Sequence, residues 1–463
     1  MIALSAEVLL SLSTSEGLGN FGCLLKDSGV ATSAFALAQG VAFHSGRVRV
    51  GDAFFALPGA SGHGIRYADS ALAAGASFIV SDVAHSQGIV VEDPAALLLK
   101  LGRVARASLT PPIIGISGSA GKTSAKAMVA AALNARSSPG NFNTPYALAQ
   151  VLIDAALEDS TLAPEQRRPL ALELGIDHVG EMDILLNLTQ PTHGLITSIS
   201  ASHLSALGDV ATVAREKGRL LEVAGESWCS ESAFEKLSPA LQMKVKCYGL
   251  AENVAPRADE ILKEMVVGEI TAVSGMGQRL NVLATSFDLP YMGKAMASNA
   301  IGAMALARSL NADLTQAALA LGEVKLEPHR LEIRPAKGEF FLLDDSYNSN
   351  PASLAALLEV MVALPRPHVL LLGDMLELGQ LSQSLHQKMG ENLKADKLLT
   401  LGPEARHLCL AANIADKKHF EDFDKAAEHL KELVASGLKG TVALKASRGM
   451  RFERFLDILE ASC

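Results

Sequence analysis

Several things are scarce in this 463-residue chain, and each scarcity removes a class of function. The five cysteines, Cys23, Cys229, Cys247, Cys409 and Cys463, show neither close pairing nor zinc-ligand spacing, so reduced thiols in a cytoplasmic protein are expected. Basic residues number 41 against 50 acidic ones, for a net charge of -9, and they are scattered rather than gathered into a stripe. That balance argues against general nucleic-acid binding. No apolar run approaches the roughly 18 residues that span a bilayer, so membrane insertion is not expected. The first twelve residues are apolar but carry Glu7 and no basic region, so no secretory leader is expected.

What the chain does have is a glycine turn in a telling place. Gly118-Ser119-Ala120-Gly121-Lys122-Thr123-Ser124 falls between an apolar run, Ile113–Ser117, and an alanine-rich helical run over 125–135. A strand that feeds a glycine turn and then a helix start aims backbone N–H groups and the positive helix end at an anion. Lys122 adds a point charge and the Thr123 hydroxyl can ligate Mg²⁺, so a nucleoside triphosphate is the expected ligand. The strict G-x-x-x-x-G-K-[ST] spacing needs glycine at 116, where this chain has Ile116, so the loop is a shorter form. An ordinary strand-to-helix turn with a surface lysine is the alternative. Gly17, Gly19 and Gly22 spell G-x-G-x-x-G, but no strand precedes them and no helix clearly follows, so that stretch reads as a loop.

Length and periodicity together predict three α/β domains. In the first, 1–109, short strands at 52–57, 77–81 and 88–91 accompany helices over 66–74 and Pro94–Ser108, and Thr110-Pro111-Pro112 marks the boundary. In the second, 110–323, strand runs at Ile113–Ser117, 170–174 and 194–200 alternate with helices as a central parallel sheet requires. A hairpin over 269–287, centred on Gly275-Met276-Gly277, precedes a helix over 297–310. In the third, 324–463, strands at 340–345, 368–374, 397–402 and 441–447 alternate with helices as a Rossmann-like doubly wound sheet. Polar residues gather at strand ends, Glu173 at one and Ser200 to His203 at another, where open α/β sheets place ligands.

Seven stretches occur in order and share one explanation. They are the phosphate loop; Glu173-Leu174-Gly175-Ile176-Asp177-His178-Val179-Gly180-Glu181; Ser200-Ala201-Ser202-His203-Leu204; Arg215-Glu216-Lys217-Gly218; Asp344-Asp345-Ser346-Tyr347-Asn348-Ser349-Asn350-Pro351; Leu372-Gly373-Asp374-Met375-Leu376-Glu377-Leu378-Gly379; and Lys445-Ala446-Ser447-Arg448. Together they closely resemble the Mur ligases over nearly the whole chain, most strongly from Gly118 onward. The fifth and sixth stretches favour the member that adds D-alanyl-D-alanine to UDP-N-acetylmuramoyl-tripeptide in peptidoglycan precursor synthesis.

The resemblance implies an ATP- and Mg²⁺-dependent amide ligase. A substrate carboxylate takes the γ-phosphoryl group, and an incoming amine attacks the acyl phosphate; such chemistry needs charge neutralisation and alignment more than covalent help. Residues 118–124 would cradle the nucleotide, with Lys122 catalytic. Thr123 and Glu173 would hold Mg²⁺, and His203 and a carbamylated Lys217 a second metal. Asn299, Arg330 and Asp345 would contact the nucleotide. Other readings stand beside these: a solvated strand-end carboxylate for Glu173, a packed or capping histidine for His203, a charged helix face for Lys217 and a helix N-cap for Asn299. Glu377 and His386 are either contributors near the cleft or surface residues.

The chain departs from the family in its first domain. His44-Ser45-Gly46 stands where Asp-Ser/Thr-Arg is expected ahead of Gly51-Asp52-Ala53-Phe54, which leaves Ser45 with Arg47 or Arg49 as the UDP contacts. Ser61 replaces the acid before Gly62-His63-Gly64, Ala120 an asparagine and Ala295 a histidine; Asn141-Phe142-Asn143-Thr144-Pro145 is closer to a sibling ligase. Asn350, Lys445, Ser447 and Arg448 are the strand-end candidates for reading the dipeptide. A monomer is expected. The rival readings are a sibling ligase adding a single amino acid to a UDP-muramoyl peptide, and a non-catalytic homologue acting as a binding module.

Overall fold

Several strands of this chain are short and buried along their whole length, the pattern of parallel sheets covered on both faces. In the computed structural model, which describes residues 38–59, 62–253, 265–336 and 340–461, Asp52–Phe55, Ile113–Ser117 and His368–Gly373 are buried at every position. The glycine pattern at 17–22, the first twelve residues, Ser61, Cys23 and Cys463 lie outside the described residues. No helix among the described residues is long and apolar enough to cross a membrane.

The chain divides into two compact units, one of residues 1–113, 141–174 and 183–191, the other of 114–140, 175–182 and 192–463. The first unit carries a parallel four-stranded sheet in the order β1 (Gly40–Ala42), β2 (Asp52–Phe55), β3 (Phe78–Ser81), β4 (Gly88–Val90). Val41 faces Ala53, and Phe54 faces Ile79. Ala42, Phe54, Ala56, Ala68, Ala71, Ala76 and Ile79 form its core. A three-residue β1 is too short for periodicity to reveal, and the sequence reading passes it over.

Pro94–Ser108 is a helix as expected, with Asp93 accepting from Ala96 N at 2.9 Å as its cap and proline at its first turn. Its buried stripe of Leu97, Leu98 and Leu101 includes a fully covered Leu98, worth about 2 kcal/mol of apolar burial. At its far end the Arg106 guanidinium donates to the Thr189 and Gln190 carbonyls at 2.7 Å each, satisfying acceptors at the end of the Glu181–Thr189 helix.

Further strands are β5 (Ile113–Ser117), β6 (Arg136–Ser137), β7 (Leu170–Glu173), β8 (His193–Ile196), β9 (Glu226–Ser230), β10 (Lys246–Leu250), β11 (Val266–Ser274), β12 (Gly277–Val282) and β13 (Thr285–Leu289). In the second unit they run β13-β12-β11-β10-β9-β8-β5, parallel from β5 to β11 and antiparallel from β11 to β13. The expected hairpin is therefore a three-stranded meander: Val282 pairs with Thr285 across a second tight turn that carries no glycine.

The second sheet of this unit runs β14 (Glu332–Pro335), β15 (Phe340–Asp344), β19 (Gly440–Lys445), β16 (His368–Gly373), β17 (Lys397–Leu401), β18 (Asp416–Phe420). All its pairings are parallel except β14 on β15. Leu342, Val369, Leu371, Val442 and Leu444 pack with Phe452 and Phe455 in its core. Edge strand β18 reads Asp-Lys-Lys-His-Phe, exposed along most of its length; charge on an edge discourages pairing with other chains and also hides the strand from hydropathy.

Candidate active site

The phosphate loop joins β5 to the helix Lys122–Ala132, which begins three residues before the apolar run that announced it. Gly121, with φ 80°, is the N-cap and supplies no side-chain cap, leaving the helix start to backbone donors. Lys122 Nζ curls back to the Gly118 carbonyl at 2.8 Å. The loop is stitched to the segment that follows β8. Ser119 N donates to Ser198 O at 2.9 Å, Ala120 N to Ser198 Oγ at 2.9 Å and Thr197 Oγ1 to Ala120 O at 2.6 Å. Ser119 Oγ donates to Ser200 O at 3.0 Å and accepts from Ser200 N at 2.9 Å. Backbone groups thus fix position 120, so alanine there costs the cradle nothing. Thr197 and Ser198 escape the sequence reading because hydroxyls after a strand carry no spacing signal.

Residues of the six-stranded sheet reach the same loop. Arg330 Nη2 donates to Thr123 Oγ1 at 3.1 Å, and its guanidinium lies 3.7 Å from the centre of the Tyr347 ring. Asn350 caps the helix Pro351–Val362, accepting from Ser353 N at 2.9 Å, while its Nδ2 donates to Ser119 O at 3.2 Å. Asn299 Nδ2 donates to Gly121 O at 3.4 Å. It sits in the second turn of the helix Lys294–Ser309, whose N-cap is Gly293, so the capping role weighed for Asn299 is excluded.

Asp345 accepts from Leu331 N at 3.1 Å and pairs with Lys445, whose Nζ also donates to Asn348 O at 2.9 Å. Burial pushes the Asp345 carboxyl up and the Lys445 ammonium down, and their mutual attraction opposes both shifts. Ser447 Oγ accepts from Leu376 N at 2.8 Å and donates to Ser349 O at 3.3 Å, joining the loops after β15 and β16. Arg448 is exposed, paired with Glu453 at 3.2 Å and 5.4 Å from the Tyr347 ring centre.

His203 opens the turn after β8 with φ 52°, and its Nδ1 lies 2.7 Å from Glu377 Oε2 and 3.1 Å from Asp177 Oδ1. The His203 contact holds the Glu377 carboxyl below its usual range. Glu377 is therefore a site neighbour. His386 is not a surface residue: it is fully buried and accepts from Met375 N at 3.0 Å, bracing the Glu377 loop. Lys217 is fully buried as well, so the charged-face reading of its helix fails there. Its neighbour Glu216 turns inward to accept from Gly180 N at 2.8 Å.

Ser45, Arg47 and Glu173 belong to the other compact unit. Glu173, buried at the end of β7, accepts from Asn143 Nδ2 at 3.3 Å. Arg47 is exposed and lies 4.4 Å from the centre of the Phe142 ring, close to the half-buried Ser45. Arg49 is committed elsewhere, to Asp52 and to Asp154 at 2.7 Å, which leaves Arg47 as the cation of that stretch open to a ligand. Among the described residues no group of three or more His, Cys, Asp and Glu side chains could hold a metal ion. Thr123 and single carboxylates suit Mg²⁺ all the same, since it takes one or two protein oxygens and completes its shell with phosphate and water.

Two family models match the chain: the Mur ligase middle domain over residues 116–307, and the Mur ligase, glutamate ligase domain over 329–448. The UDP-N-acetylmuramoyl-tripeptide--D-alanyl-D-alanine ligase of Escherichia coli (strain K12) is 30% identical over 422 residues, covering 88% of this chain and 90% of that protein. The ligase of the same name from Bacillus subtilis (strain 168) is 27% identical, covering 91% and 93%. Among solved structures, crystal structure I of MurF from Acinetobacter baumannii superposes with a TM-score of 0.73 at 22% identity, covering 91% of this chain and 93% of that one. MurF ligase from Thermotoga maritima in complex with ADP gives 0.70 at 23% identity, covering 92% and 98%. These likenesses fix the fold, and the chain belongs to the Mur ligase family.

Proposed function

We propose that this chain joins D-alanyl-D-alanine to UDP-N-acetylmuramoyl-tripeptide at the expense of ATP, as a cytoplasmic monomeric enzyme of peptidoglycan precursor synthesis. The observation that carries the reading is the convergence on one phosphate loop of Lys122 from within it and Arg330 and Asn350 from the six-stranded sheet. Phosphoryl transfer to a carboxylate needs that convergence: cations where charge moves and a second body to align the acceptor. The proposed division of labour is UDP-substrate binding by 1–109, ATP binding by 110–323 and dipeptide binding by 324–463.

Lys122 neutralises charge on the moving phosphoryl group, and the backbone of 118–121 with Thr123 and Ser124 cradles the phosphates. Asn299, Arg330 and Asp345 flank the nucleotide. Thr123 would hold Mg²⁺, and His203 with Lys217 a second ion, which when bound would supply positive charge beside the phosphates. Lys217, fully buried on its helix, is the lysine proposed to carry the carbamate. Ser45 and Arg47 contact the UDP group. Asn350, Lys445 and Ser447 shape the dipeptide site through their loop contacts, and Arg448 presents its guanidinium to the incoming carboxylate.

Replacing Lys122 tests the reading. Lys122→Ala should lower ADP release that depends on both UDP-tripeptide and D-alanyl-D-alanine by about 100-fold or more. Full activity in that variant would overturn the assignment of the loop.

A further inference from the structure

Arg330 reaches Thr123 from an arch of main chain that is costly to form. The residues on either side of it, His329 and Leu331, adopt φ of 65° and 50° without being glycine. Left-handed backbone is uncommon outside glycine and persists only where its surroundings hold it.

The end of β15 and the segment that follows it hold this arch on both sides of the arginine. Leu331 N donates to Asp345 Oδ1 at 3.1 Å. His329 Nδ1 lies 2.6 Å from Asp344 Oδ2, and the His329 carbonyl accepts from Tyr347 N at 3.3 Å. His329 N makes a longer contact, 3.4 Å, to Glu332 Oε2. Asp344 is fully buried, and its Oδ1 accepts from Ser346 N at 3.1 Å and from Ser346 Oγ at 2.7 Å. Those two bonds fix the carboxylate, so Oδ2 is a rigid point to which the His329 ring can be tied by a strong, charge-assisted hydrogen bond.

The arch in turn sets the direction of Arg330. Its Nη2 donates to Thr123 Oγ1 at 3.1 Å, and its guanidinium lies 3.7 Å from the centre of the Tyr347 ring. Its Nε is buried and finds no hydrogen-bond partner among the described residues. The main-chain contacts of the arch survive any side chain at 329, whereas the contact with Asp344 needs a donor there. We propose that His329 is a positioning residue, which clamps the left-handed arch to the buried Asp344 and so holds the Arg330 guanidinium against Tyr347 and at Thr123, where it meets the nucleotide. The inference rests on the assignment of Arg330 to the nucleotide in the proposed function.

The test uses the full chain and includes a measurement without ligand. A proton over an aromatic face is shifted upfield, so the Arg330 Nε–H signal, identified by its loss in Arg330→Ala, reports the stack on Tyr347 in the free protein. His329→Ala should return that signal to the ordinary arginine position and weaken ADP binding, measured by calorimetry, about tenfold. His329→Gly accepts positive φ without strain, should behave in the same way, and serves both measurements if the alanine variant fails to fold. His329→Asn, whose amide can donate from the place of Nδ1, should keep both the shifted signal and the affinity. In the Arg330→Ala background, His329→Ala should weaken ADP binding no further. A glycine variant that keeps the shifted signal, an asparagine variant that loses it, or a tenfold loss that persists without Arg330 overturns the proposal. A signal that moves while ADP affinity does not supports the clamp and removes Arg330 from the nucleotide site.

Discussion

A side chain at position 118 would place its Cβ 2.0 Å from Thr197 Oγ1, the hydroxyl that also holds Ala120 O. Neither atom can move without breaking the stitching of the phosphate loop to the segment after β8. Gly118→Ala should therefore cost about 1–3 kcal/mol in urea unfolding and weaken ADP binding measured by calorimetry at least tenfold. Wild-type affinity in that variant would mean the loop is not the phosphate cradle. In the first unit, burial pushes the Asp154 carboxyl up to about 6 although the Arg49 guanidinium at 2.7 Å pulls it down. A raised carboxyl favours the protonated fold, so this contribution is complete below the ordinary aspartate range and is lost as pH rises through about 6. With 30% of the side chain still in water, screening leaves about 1–2 kcal/mol for the effect. The stability of Asp154→Asn relative to wild type should rise between pH 4 and pH 6; a difference that stays flat across that window would contradict the assignment. Single residues were legible in the sequence where motif and chemistry coincide, as at Lys122 and Thr123. Lys217 was not, because the charged residues beside it in the chain mask a position that the helix turns into the core.

The helix Lys294–Ser309 shows how an element carries the site. Eleven of its residues, from Met296 to Ala307, are buried, and this packing sets Asn299 against Gly121. Its N-cap, Gly293, provides no side chain, and Glu359 from the Pro351–Val362 helix accepts from Lys294 N at 3.1 Å instead. A carboxylate at a helix start satisfies an orphan donor and complements the dipole. Glu359→Ala should lower stability by about 1 kcal/mol, read as a shift of the urea midpoint; an unchanged midpoint would show that this cap carries no weight. Elements with long apolar or helical periods, β5 and Pro94–Ser108 among them, were readable from sequence to the residue. Elements stabilised mainly by their neighbours were not: β1 is three residues long, β18 is polar because it is an edge, and β13 begins after a turn that lacks glycine.

At the scale of the whole molecule, the described residues form three sheets. The alternation that encodes them says nothing about ligands, and only the ordered motifs at strand ends do. Those motifs point to an amide ligase that uses a dipeptide, while the Asn141-to-Pro145 stretch leans toward a sibling that uses one amino acid. The decisive measurement is the mass of the product formed from ATP, UDP-N-acetylmuramoyl-tripeptide and a panel of amines. The account predicts one new species, the tripeptide precursor plus D-alanyl-D-alanine less one water, with ADP released in equal amount. Extension by a single amino acid in preference to the dipeptide, or ATP turnover with no ligated product, would contradict it.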